Sequence, residues 1–91
     1  MTSREGPDSS GLEGGEAQLP ADAVRAVIGW YNAQLAAERR SADPDEGRID
    51  VLRTERQEAV EDQQRLSSAS PEETSRIGAL YAARFKELNA E

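Results

Sequence analysis

Three of the four prolines stand where helices begin, and this constrains the fold more than any other feature of the chain. Proline is tolerated in a first helical turn because its missing N–H has no partner there; in a helix interior it removes a hydrogen bond and crowds the preceding turn. Asp43 precedes Pro44, which is followed by Asp45 and Glu46; Ser70 precedes Pro71, which is followed by Glu72 and Glu73; Asp22 lies two residues after Pro20. A capping oxygen before the proline in two cases, and acids near the positive end of the dipole in all three, complete a helix-start pattern. The pattern predicts helices over about 20–41, 44–67 and 71–90. The connections between them are too short for anything but antiparallel neighbours. The expected class is therefore all-α: an elongated up-down-up bundle, or a helical hairpin that dimerises.

Hydrophobic spacing supports each helix unequally. Val24, Val27, Ile28, Tyr31 and Leu35 form a narrow stripe on the first helix, and Ile77, Leu80, Tyr81 and Leu88 do the same on the third, with Arg84 interrupting. The second helix is the polar one, its seam reading Ile49, Leu52, Arg56, Ala59, Gln63 and Leu66. In an antiparallel pair, facing residues keep a constant index sum. A sum of 87 sets Leu35 on Leu52, Tyr31 on Arg56 and Ile28 on Ala59; a sum of 140 sets Arg56 on Arg84 and Ala59 on Tyr81. The two registers are mutually consistent, and helices of roughly 22 residues at about 1.5 Å rise give a bundle about 33 Å long.

The core available to such a bundle is thin. The 91 residues are 36 % hydrophobic and 4 % aromatic, and a single marginal domain over 20–91 is the most they can form. Residues 1–19 carry four of the seven glycines and no aliphatic cluster, so they read as a disordered acidic tail. There is no His and no Cys, which removes imidazole catalysis, thiolate chemistry, the usual zinc and iron sites and any disulfide framework. No cofactor and no metal site are expected. The formal net charge of −7 opposes tracking of a phosphate backbone, so direct nucleic-acid binding is not expected, and a basic or neutral protein surface suits this chain better. No stretch reads as a membrane span or a secretory signal, and the expectation is a cytoplasmic, bacterial protein, given the arginine and alanine bias that GC-rich coding produces.

Two places could carry recognition. Trp30 lies off the main stripe of its helix and shares a face with Ala26, Ala33 and Ala37, a shape that either anchors a partner helix or seals the edge of the third helix. The face of Glu55, Glu58 and Asp62 on the second helix is the acidic counterpart. The register also puts Tyr31, Arg56 and Arg84 in one layer; two facing guanidiniums need an anion, supplied by Glu38 or Glu55, by a partner or by a bound phosphate, unless both snorkel to water. The carboxylates fit catalysis poorly. All-helical nucleotide pyrophosphohydrolases hold magnesium with Glu-Glu-x-x-Glu and Glu-x-x-Asp, whereas this chain offers Glu58-x-x-Glu61-Asp62 and an isolated Glu72-Glu73; di-iron bundles need a His. Asp43-Pro44-Asp45-Glu46-Gly47 has its glycine at the fifth place of a would-be calcium loop and reads as a helix cap.

Gly47-Arg48-Ile49-Asp50-Val51-Leu52-Arg53-Thr54-Glu55 resembles a stretch of the cyclic-di-GMP-dependent anti-sigma factors of filamentous actinobacteria, which are antiparallel helical proteins. Of that family's ligand motif only Asp50 matches. Glu46, Ala42, Arg39 and Leu35 stand where Gln, Arg, Ser and Glu are required, so neither ligand nor binding residues carry over. The sequence thus leads to a non-enzymatic helical protein acting by protein association, as an adaptor or regulator that also self-associates into a homodimer. The alternative is an anti-sigma-like regulator that takes an anionic small molecule such as a nucleotide at Tyr31, Arg56 and Arg84. Metal-dependent nucleotide hydrolysis is third.

Overall fold

The computed structural model describes residues 7–90, and side chains from 19 to 90. Three helices account for almost all of it: α1 (Pro7–Arg40), α2 (Glu46–Arg65), a single 3₁₀ turn (Leu66–Ser68) and α3 (Pro71–Asn89). No helix among the described residues is long and apolar enough to cross a membrane.

The three helix starts turn out differently. At α3 the expectation holds: Ser70 is the N-cap, its hydroxyl accepts the Glu73 N–H at 3.1 Å, Pro71 opens the helix, and Glu72 and Glu73 occupy the first turn. At α2 the helix starts at Glu46, two residues later than Pro44. Asp45, with extended backbone, is the cap that accepts the Arg48 N–H, and the Asp45 N–H is in turn held by the Glu38 carboxylate at 2.9 Å. Pro44 is therefore part of the connection, and α2 closes in the 3₁₀ turn after Arg65. Pro20 lies inside α1, which begins at Pro7. The expected start at residue 20 is thus replaced by a longer helix; the expected disordered tail, 1–19, falls on positions that lie outside the described residues or whose side chains, through residue 18, do.

The core joins all three helices. Val24, Val27, Tyr31 and Leu35 of α1, Ile49, Leu52 and Ala59 of α2, and Ile77 and Tyr81 of α3 are buried, with Ala23, Ile28, Trp30, Leu66 and Leu88 packed around them. Both α2 and α3 lie along α1 and approach each other far less closely. The third helix thus completes a bundle, not a bare hairpin. The cross-hairpin pairs Arg56 with Asn32 and Arg48 with Glu38 have index sums of 88 and 86, bracketing the expected 87. On the other side the register moves: Tyr81 reaches Asp62, not Ala59, about one turn along from the expected pairing.

The reason for that shift is at the far end of the bundle. Gly78 sits against Pro20, so near that a Cβ on residue 78 would lie 2.9 Å from the proline Cβ and 3.1 Å from its Cα. The expected registers instead set Glu73 opposite Pro20, five residues earlier in α3. Only a residue without a side chain lets the two helix backbones come this close, and Gly78 is buried. Two glycine substitutions should separate packing from propensity. Gly78→Ala gains about 1 kcal/mol of helix propensity but meets a rigid ring, at an overpacking cost of about 1–3 kcal/mol, so a net loss is expected. Gly29→Ala, whose Cβ meets nothing within 4 Å, should stabilise by about 0.5–1 kcal/mol. Thermal melts should show the two midpoints moving in opposite directions, each by a few degrees.

Candidate functional site

The polar side chains that face inward gather where α1, α2 and α3 meet. Tyr31 and Tyr81, the two tyrosines of the chain, are both buried there. The Tyr81 hydroxyl donates to Asp62 Oδ2, while Asp62 Oδ1 accepts from Arg65 one turn along α2. The Arg84 guanidinium lies over the Tyr81 ring, 5.0 Å from its centroid, in cation–π geometry. Arg84 and Glu55 both act on the Tyr31 hydroxyl. The Trp30 ring meets Tyr31 edge to face, centroids 5.3 Å apart and planes 82° from parallel.

This layer matches the sequence expectation in part. Tyr31 and Arg84 are brought together as expected. Arg56 is not with them: half-buried, it donates from Nη1 to Oδ1 of the exposed Asn32 at 2.9 Å. Of the two proposed internal anions, Glu55 serves the layer, whereas Glu38 is taken up by the Asp45 N–H and by Arg48 at 3.5 Å in the α1–α2 connection. The paired-guanidinium picture is therefore corrected, because a one-turn shift of α3 substitutes Tyr81 and Asp62 for the second arginine. The acidic face is corrected with it. Glu55 and Asp62 are half-buried and turned toward the tyrosines, leaving Glu58 as its exposed member. On the other expected surface Ala33 and Ala37 are exposed, while Ala26 and Trp30 are half-buried and Trp30 packs on the core.

Burial, first, and the neighbouring carboxylate, second, push the pKa of both phenols up: Glu55 acts on Tyr31 and Asp62 on Tyr81. Neither group is thereby poised for proton transfer near neutrality, since a phenol held above its ordinary value of 10.0 stays protonated. Among the described residues, no group of three or more His, Cys, Asp or Glu is placed to hold a metal ion. The layer is a structural tie: Arg84 is set over an aromatic face, and the Asp62 carboxylate accepts from the Tyr81 phenol and the Arg65 guanidinium.

A second feature lies on the flank of the bundle and was not seen in the sequence. Between α1 and α3 runs an open groove of about 620 Å³. Leu19 and Phe85, which are 59 % and 36 % exposed, wall it, and Pro20, Ala23, Gly78, Ala79 and Ala82 form its apolar floor. Leu19 is the last residue of the stretch whose composition reads as a tail. The signal that could have revealed the groove was the run of small residues in α3 at the spacing of one helix face. Comparison with known proteins brings no relative to bear on either feature: no protein-family model, no curated protein and no solved structure matches the chain.

The tyrosine layer makes two checks available. Tyr81→Phe removes the donor and leaves the half-buried Asp62 carboxylate with one partner fewer, so a loss of about 1.5–3 kcal/mol is expected in denaturant unfolding. Alkaline stability follows from the sign of the shifts. Below pH 10 both phenols are protonated in folded and unfolded chains alike; above it the unfolded chain releases protons the folded one retains, so stability falls as pH rises. Tyrosinate absorbance and helical dichroism should therefore change together above pH 10, and Tyr31→Phe should flatten the dependence.

Proposed function

We propose that the chain acts through association with another polypeptide and not through catalysis, as an adaptor or regulatory protein of the bacterial cytoplasm. The observation that supports this reading is the α1–α3 groove: a continuous apolar surface with Leu19 and Phe85 turned to solvent, on a chain of mean hydropathy −0.78. A chain with so little apolar content keeps some of its largest side chains out of its own core, which is the pattern of a surface used for binding. The occupant expected of such a groove is a helix that presents an apolar stripe. On α1 this shifts the interface along the Trp30 and alanine face, toward the helix start: Leu19 and Ala23 stand at the same three- and four-residue spacing as Ala26 and Trp30. Recognition of an anionic ligand at Arg84 gains no support from the geometry, because Arg84 already lies over the Tyr81 ring and shares Tyr31 with Glu55.

A photo-crosslinking residue placed at Ala82, on the floor of the groove, should capture a protein in cells, whereas the same residue at Gln57 on the polar outer face of α2 should not. Equal capture at both positions, or none at Ala82, removes the reading.

A further inference from the structure

The outer stripe of α3 says which helix fits that groove. Glu72, Ser75, Ala79, Ala82 and Lys86 follow one another at alternating spacings of three and four residues, a heptad seam, and all five are exposed. Ser75, Ala79 and Ala82 also line the groove. The two ends of the stripe carry opposite charges, and neither Glu72 nor Lys86 forms an ion pair with another described residue. The segment 43–69, which contains α2, carries −4 of the total −7, and Asp22 at the groove is neutralised by Arg25 at 2.8 Å.

Resting on the association reading, we infer that the occupant is a second copy of this chain, docked antiparallel through α3 about a twofold axis near Ala79. Glu72 and Lys86 are each seven residues from Ala79, so an antiparallel pair sets Glu72 beside Lys86 of the copy, and by symmetry the reverse contact forms at the other end. Parallel pairing would set like charges together at both ends, so the charges choose the direction. Small residues along the seam let the two helices approach closely, and the copy's α3 then covers Leu19 and Ala23 from the side. A twofold interface must be complementary to itself, and this patch holds both parts: the walls Leu19 and Phe85, and a floor of small side chains that accepts them. The acidic outer face of α2 stays away from the axis, which keeps the self-repulsion of a chain of charge −7 out of the contact.

Sedimentation of the full chain over a dilution series at low salt tests this. The unaltered chain should be a dimer. Glu72→Lys and Lys86→Glu each convert two attractive contacts per dimer into two repulsive ones, and each should weaken association by about tenfold or more. The double variant, with the charges exchanged, should recover most of the loss. All three should keep a folded helical dichroism at low temperature, because both positions are exposed, while the melting midpoints of the single variants fall with the lost association. A monomer at every concentration overturns the inference, as does a dimer indifferent to the single changes or a double variant as weak as either of them. A monomer that still gives a crosslink to a different protein from Ala82 overturns the second copy but leaves the association reading standing; absence of any crosslink there removes the association reading itself.

Discussion

The structure depends on one apolar stripe being used twice. Val24, Val27, Tyr31 and Leu35 supply the buried side chains of α1, and both other helices pack on that helix while approaching each other less closely. In a three-helix bundle with an equal core, each helix contributes a seam to two neighbours. Here α2 cannot, because its seam includes Arg56 and Gln63, both half-buried. The shortage of apolar residues in α2 therefore forces α1 to the centre. Between α2 and α3 runs the Tyr81 to Asp62 hydrogen bond, while Arg84 lies over the same ring from within α3. Part-buried hydrogen bonds to charged acceptors contribute more than exposed ones, and this one holds α3 to α2 in the register that Pro20 and Gly78 set.

How much of this was legible follows from which signals are local. Ser70-Pro71-Glu72-Glu73 is a complete local instruction, cap, fixed φ and favourable charge within four residues, and α3 begins where it says. Asp43-Pro44 has the same composition but the wrong cap: Asp45 is held by Glu38 from across the connection, seven residues away, and that contact is invisible to local reading. The α1–α2 register was legible because a short connection leaves little freedom in how the hairpin closes. The α2–α3 register was not, since it is set by Pro20 meeting Gly78 across the bundle. A glycine in a helix reads as a propensity fault until its neighbour is known.

The candidate site shows the same division. Tyr31 and Arg84 were expected together and are; the error at Arg56 is a single turn of α3, enough to exchange a second guanidinium for a tyrosine and a carboxylate. That small displacement changes the chemistry of the layer. Two arginines facing one another would have required an anion from outside, whereas Glu55 and Asp62 meet the polar groups from within the chain. The acidity of α2 is in this way split between two tasks: some of it holds the bundle together, and the remainder, Glu58 among it, stays in water.

The groove and the acidic outer face of α2 are consequently separated in space. A strongly negative chain keeps copies of itself apart wherever its charged faces approach, and the penalty is greatest for α2 and least along the side of α1 and α3 where Asp22 is paired and the seam is Ser and Ala. The thin core and the open groove are then two aspects of one economy of sequence. Large side chains placed at Leu19 and Phe85 cannot contribute to the bundle interior, and they leave it marginal; turned outward beside a floor of small residues, they supply the apolar area that the interior lacks once another helix lies across them. In the proposed dimer the stability of the fold and the occupancy of the groove would be linked quantities, and dilution that empties the groove would also remove part of what holds α3 on α1.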